Sequence, residues 1–354
     1  MNVPKITLTM LGASGSGKTL FLHGMYAMLS AGVAGYFMYT DDPDDDIDLM
    51  DAWSLLSEEG ELPPANSVDG QKQYQFVFKY GLDPLFSVDC VDFRGGVTDA
   101  KLGDAADVEQ IRKRLQVTDS IYLVLDGGRV AEWILKIKDL AEDEVVTWNR
   151  ATDPMRIAKL TQFIDKAAEA RRSRGKLAPS VVILITKSDL IPDITGMPKP
   201  KALGIAARRL STLVPIAYAK GVTALICPVQ VGTFGTDLHK PVNPADLDPV
   251  GLHQPFVFSL WHYLTEVIQE DNDALRLLRE RQADEYAQLN ELRGRFGARF
   301  FHGDKIRGRE EDIADNGRRI GDLGSRLSDS QSMVTQLMNQ LGSLPIIKDG
   351  LLQV

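Results

Sequence analysis

The sequence predicts an α/β fold: a mostly parallel sheet with one antiparallel hairpin and helices on both faces, followed by a helical extension. Three observations carry this. The β-branched run KITLTML, residues 5–11, passes through a glycine-rich turn into TLFLHGMYAMLS, residues 19–30, where apolar residues recur at helical spacing. Short apolar runs then alternate with helix-like stretches, the pattern of βαβ units. Near residue 271 the composition shifts to Arg, Glu, Asp, Gln and Leu, with no strand-like run after it.

After the opening strand and helix, strand-like runs fall at 75–79, 85–91, 120–125, 180–185 and 223–226. Helix-like stretches at 104–115 and 155–172 separate them. QYQFVFKYG and DPLFSVDCVDF are joined by a short turn at 81–84, which makes them the antiparallel hairpin. The acidic run DDPDDDID, residues 41–48, reads as a solvated loop, because it lacks the spacing and glycine of a calcium loop. In 255–269, Phe256, Leu260, Tyr263, Leu264 and Val267 share one helical face and close the first domain, so the division predicted is 1–270 and 271–354. Leu275, Leu278, Tyr286, Leu289, Leu292 and Phe296 form a first stripe of the extension. Ile306, Ile313, Ile320, Leu327, Val334 and Leu341 recur every seven residues, while Gly317, Gly321 and Gly324 weaken the helix. An antiparallel hairpin turning near 297–305 is favoured; self-association as a coiled coil between chains is the alternative.

Composition narrows the partners. With 40 basic and 49 acidic side chains the net charge is −9, which gives no general attraction to nucleic acid or to anionic membranes. Cys90 and Cys227 lie far apart, with neither a disulfide framework nor metal-ligand spacing, as suits a reducing cytoplasm. The first residues lack a long apolar signal segment, and no run approaches the ~18 apolar residues of a membrane span. Neither nucleic-acid binding nor membrane insertion is expected.

The chemistry is carried by short motifs. LGASGSGKT contains Gly12, Ala13, Ser14, Gly15, Ser16, Gly17, Lys18 and Thr19 in the spacing G-x-x-x-x-G-K-[ST]. Such a loop wraps backbone N–H groups around phosphates at a helix N-terminus; Lys18 bridges phosphate oxygens and the Thr19 hydroxyl ligates Mg²⁺. At the end of another strand, VDFRGG sets Asp92 and Gly95 in D-x-x-G spacing, a carboxylate for Mg²⁺ and an N–H for the γ-phosphate. At the end of a later strand stand Thr186, Lys187, Ser188 and Asp189. Asp189 and its neighbours resemble the [NT]-K-x-D guanine motif of the Ras-like and translation-factor class of P-loop GTPases, and the three motifs follow that family's order over residues 1–270.

The resemblance implies a Ras-like GTPase domain that binds GTP or GDP with Mg²⁺. In that class Asp189 would accept from guanine N1–H and the exocyclic amine, with the Lys187 stem over the base; adenine lacks both donors. The insertions, the GELPPA stretch and the helical tail also resemble free-standing bacterial GTPases of conflict or signalling operons. Three departures stand out. Gly96 occupies the place of the water-positioning Gln, so slow hydrolysis is expected, with Arg94 as a candidate internal arginine finger. The next base contact falls near ICPVQVG, where Pro228 has no N–H and the register shifts to Val229 or the contact is missing. The second Mg²⁺ ligand is Thr40 or Ser67, and Ser67 is preferred for its closeness to the following strand. The expected function is a switch that hydrolyses GTP slowly and signals to a protein effector or regulator; a scaffold that scarcely hydrolyses, and a P-loop ATPase or kinase, are the alternatives.

Overall fold

A computed structural model describes residues 4–63, 72–93, 105–140, 155, 157–236, 241–294 and 303–353. The chain forms two compact units, Met1–Ser259 together with Leu341–Val354, and Leu260–Gln340. In chain order the elements begin β1 (Lys5–Gly12), α1 (Lys18–Ala31), β2 (Tyr36–Thr40), α2 (Pro43–Ser54), β3 (Lys72–Tyr80), β4 (Asp83–Asp92) and α3 (Ala105–Leu115). They continue with β5 (Ser120–Asp126), α4 (Gly127–Ile137), α5 (Ala158–Arg172), β6 (Ser180–Thr186), α6 (Leu190–Thr195) and α7 (Lys199–Arg209). The rest are β7 (Thr223–Pro228), β8 (Gln230–Gly232), β9 (Leu247–Val250), α8 (Gln254–Gly294), α9 (Gly303–Leu341), β10 (Ile346–Lys348) and β11 (Leu351–Gln353).

The first unit is built on a nine-stranded sheet in the order β11-β10-β7-β6-β5-β1-β4-β3-β2. Its centre, β7-β6-β5-β1-β4, is parallel throughout. Parallel strands covered on both faces need apolar residues at every position, and all of β6, SVVILIT, is buried. β3 has the contrasting period of two, with Tyr74, Phe76 and Phe78 turned inward, as an antiparallel strand near an edge should. One face packs against apolar residues of α3, α4, α5 and α7, with Trp133 fully buried among them. On the other face Phe21 of α1 and Phe256 of α8 stack edge-on against Tyr122 of β5. Ser259 of α8 hydrogen-bonds there to Ser120 (2.8 Å) and Tyr122 (3.1 Å).

The structure corrects the expectation of a single antiparallel hairpin. Besides β3–β4, antiparallel pairs join β2 to β3, β7 to β10 and β10 to β11. The last two also overturn the boundary at 270/271, because residues 341–354 return to the first unit instead of completing a tail. Ile346 and Ile347 are buried beside Leu225 and Ala224 of β7. The turn at Asp349 (φ +52°) and Gly350 (φ +82°) is the Asp-Gly type that closes a two-residue hairpin. The acidic run is not a loop either. Asp42 caps α2 by accepting from the Asp44 N–H (2.9 Å), Pro43 opens the helix, and Asp44, Asp45 and Asp46 sit in its first turn, where the helix dipole favours negative charge.

The second unit is an antiparallel helical hairpin. Asp271 pairs with Arg326, Gln282 with the Ile313 carbonyl (3.3 Å), Glu285 with Asn316 (2.8 Å), and Arg293 with Glu310. Leu275, Leu289, Ile313, Leu327 and Leu337 fill the seam. The first stripe is corrected at one position: Tyr286 is 49% exposed, and the neighbouring Glu285 is buried in its place. Phe296 and most of the turn expected at 297–305 lie outside the described residues. No helix among the described residues is long and apolar enough to cross a membrane.

The strand return generates a prediction. Deleting residues 345–354 removes two buried isoleucines, worth about 1.5–3 kcal/mol each, and uncovers the edge of β7. A loss of about 3–6 kcal/mol is expected in urea denaturation against the full chain. An unchanged midpoint would show that β10 contributes nothing to the sheet.

Candidate functional site

The C-terminal ends of β1, β4, β5 and β6 lie at one edge of the sheet, because the parallel register pairs Met10 with Asp92, Gly12 with Val124 and Asp126 with Thr186. The loop after β1 is held there at close quarters. A Cβ on Gly12 would stand 2.6 Å from the Val124 carbonyl oxygen, and one on Gly17 would stand 3.2 Å from the Thr186 hydroxyl. Gly15 and Gly17 have φ of +74° and +80°, the left-handed conformation that side chains disfavour. Thr186 Oγ1 lies 2.6 Å from the Ser16 carbonyl oxygen and 3.1 Å from that of Leu125. Lys187, itself at φ +49°, donates through Nζ to the Gly15 carbonyl (3.0 Å) and to Asp126 (2.6 Å). Thr186 and Lys187 therefore clasp the loop from the neighbouring strand end.

This backbone path leaves the start of α1 open. Its N-cap is Gly17, with no side-chain cap, so no side chain at that position competes for the first helical N–H groups. Lys18 is 6% exposed, and its Nζ donates to the Gly12 and Ala13 carbonyls at 3.1 Å each. An ammonium has three donors, so one is left to meet an oxyanion. Burial lowers the Lys18 pKa and the charge of Asp92 opposes that shift. The Thr19 hydroxyl donates to Asp92 Oδ2 (3.2 Å). No group of three or more His, Cys, Asp or Glu gathers among the described residues. The Thr19 hydroxyl and the one carboxylate of Asp92 beside this loop do fit Mg²⁺, which keeps several waters and needs few protein ligands.

One cavity of about 240 Å³ joins this loop to the later motif. Ser14, Gly15, Ser16, Gly17, Lys18 and Thr19 line one side, and Thr186, Lys187, Asp189 and Val229 line the other. Leu62, Pro63 and Phe234 add an apolar wall. Burial raises the Asp189 pKa, while Lys199 and Lys187 oppose the shift. Half-buried carboxylates of this kind recognise paired N–H donors well, since the competing water is thinned.

The structure brings together Gly12, Ala13, Ser14, Gly15, Ser16, Gly17, Lys18, Thr19, Asp92, Thr186, Lys187 and Asp189. Val229 is corrected: it lines the cavity, but its N–H donates to the Ile185 carbonyl (2.8 Å) and is not available to a base. The cause is that pairing between β6 and β7 runs one residue past Pro228. Thr40 does not join the site. Its hydroxyl donates to the Asp42 carbonyl (2.7 Å) and accepts from the Asp42 N–H (2.9 Å), at an exposed turn. Ser67, Arg94, Gly95 and Gly96 lie outside the described residues. Sequence reasoning missed Asp126, Lys199, Gln230 and Phe234; only Asp126, a carboxylate ending a parallel strand where ligands collect, had a visible signal.

No protein-family model matches the chain, and no curated protein matches it significantly.

His23, buried on α1, yields a pH prediction. Burial pushes its pKa down to about 4, with the Lys72 charge assisting and Asp48 opposing. An unfolded histidine protonates near 6.5, so between pH 6.5 and 4 the unfolded chain binds more protons and stability falls on acidification. Between pH 6.5 and 5 the loss should be about 2 kcal/mol by urea denaturation, and His23→Gln should flatten it. Equal slopes for both proteins would show that His23 is not the group responsible.

Proposed function

We propose that the chain is a guanine-nucleotide-binding switch of the Ras-like and translation-factor class of P-loop GTPases, which hydrolyses GTP slowly to GDP and signals to a protein partner. The observation that carries this reading is the cavity shared by the phosphate loop and Asp189, with Thr186 and Lys187 bonded to that loop. A plain turn has no reason to hold a buried lysine on its own carbonyls while a second motif clasps it from a strand end.

In this reading the open N–H groups at the start of α1 and the third donor of Lys18 hold the β- and γ-phosphates. Thr19 and Asp92 hold Mg²⁺, which when bound neutralises charge developing on the phosphates. Asp189 accepts from guanine N1–H and the exocyclic amine, and the Lys187 stem, anchored by Asp126, covers the base. Leu62, Pro63 and Phe234 exclude water around it. Two free, buried cysteines, Cys90 and Cys227, accord with a reducing cytoplasm as its location. Self-association through the helical hairpin remains part of the proposal.

The decisive test is a swap of base. Asp189→Asn sets a donor against guanine's donors, and an unsatisfied buried polar group costs about 1–3 kcal/mol. GTP affinity should fall by about tenfold while xanthosine triphosphate, with a carbonyl in place of the amine, gains. Lys18→Ala should weaken both nucleotides alike. Undiminished GTP binding by the Asp189→Asn protein, in titration calorimetry, would remove the guanine assignment.

A further inference from the structure

Behind the base pocket runs a chain of four polar side chains, of which only Ser188 belongs to a motif, at its variable position. Gln230 of β8 lines the cavity and is only 6% exposed. Its amide nitrogen donates to Asp248 Oδ2 of β9 (3.0 Å), and its amide oxygen accepts from Lys199 Nζ (2.9 Å). Lys199, the first residue of α7, donates also to the hydroxyl of Ser188 (3.2 Å), the residue between Lys187 and Asp189. One ammonium thus bridges the Thr186–Asp189 loop to the β8–β9 pair.

The charges around Asp189 make this bridge matter. Lys187, Lys199 and Asp193 act on the Asp189 carboxylate. The Lys187 ammonium is already engaged by Asp126 and the Gly15 carbonyl, which leaves Lys199 as the cation held on the base side of the loop. A backbone N–H also favours the Asp189 carboxylate, while the Val229 N–H on the same wall is taken by the Ile185 carbonyl. Without Lys199, the Gln230 oxygen and the Ser188 hydroxyl lose their shared donor in a half-buried place, and Asp189 loses a nearby positive charge.

Resting on the guanine reading above, we propose that Lys199 and Gln230 are positioning residues for base recognition: by tying Ser188 to Gln230 and Asp248 they hold Asp189 where it accepts from a base presenting two adjacent N–H donors. They set the preference for guanine over adenine without touching the phosphates.

The experiment compares N-methylanthraniloyl-labelled GDP and ADP on the full chain with wild type, Lys199→Met, Lys199→Arg and Gln230→Leu, from pH 8 to 5.5. In Lys199→Met the preference for GDP over ADP should fall by about tenfold. The pH below which GDP binding weakens should move upward, because a carboxylate stripped of a nearby cation protonates more readily and a protonated Asp189 no longer accepts twice. Lys199→Arg should restore the wild-type profile, which a packing role alone would not require. If Lys199→Met does not fold, as judged by circular dichroism, Gln230→Leu carries the test through the same loss of preference. A folded variant with wild-type preference and pH profile overturns the proposal. A wild-type protein with no preference for GDP overturns instead the guanine reading on which it rests.

Discussion

The close approach of the loop after β1 to the ends of β5 and β6 is the constraint on which the site depends. A side chain at Gly12 would press into the Val124 carbonyl, and a side chain at Gly17 would crowd Thr186. With both absent, the loop comes near enough for Thr186 and Lys187 to bond its carbonyls. That contact presupposes the sheet's register, since a slip of one residue between β5 and β6 would turn Thr186 to the other face. Strand pairing deep in the core therefore decides where the polar groups of the site stand.

The same geometry explains why a cation can be buried beside the loop. Taking an ammonium out of water is expensive, and a group so placed either loses its charge or finds compensation. Lys18 finds two carbonyls and the nearby charge of Asp92, which offset part of that cost and leave a donor unused. Incomplete compensation is uneconomical in a protein built only for stability. It suits one that receives an anion, whose binding supplies the missing charge. Lys187 differs in this respect, because Asp126 at 2.6 Å already balances it.

What was legible in the sequence follows from burial. The central strands are covered on both faces, so β5 and β6 announce themselves as nearly unbroken apolar runs and β1 as a β-branched one, with the glycines and Lys18 standing out after it. α2 was concealed because its opening is acidic; Asp42 and Pro43 were cap signals that charge alone disguised. β10 and β11 have three residues each and follow a heptad pattern that suggested helix to the end, although Asp349 and Gly350 spelled a hairpin turn. In the chain of Ser188, Lys199, Gln230 and Asp248 only Ser188 stood in a readable motif, and nothing in the spacing of the other three tied them to it. Its members are ordinary polar residues on separate elements, and only the fold makes them neighbours.

The helical hairpin was half legible for a related reason. On α8 the inward positions keep a heptad rhythm, but the buried Asp271 and Glu285 and the half-buried Gln282 occupy some of them, so an apolar stripe sought there drifts onto Tyr286. These polar residues do what leucines cannot. A seam of leucines alone tolerates a slide of seven residues, since every apolar side chain meets another. Sliding this hairpin by one heptad would move Asn316 from Glu285 to Leu278 or Leu292, and would move Glu285 to Arg309 or Leu323. The two directions are unequal: one sets both Asn316 and Glu285 against leucine, while the other sets only Asn316 against leucine, at about 1–3 kcal/mol for the unsatisfied amide, and brings Arg309 to Glu285. Asp271 and Arg326 would part in either direction, and only the slide that brings Arg319 opposite Asp271 supplies a replacement. The polar layers thus give up some apolar burial and in exchange favour the observed register, strongly against the slide toward Leu292 and, through Asn316, against the other.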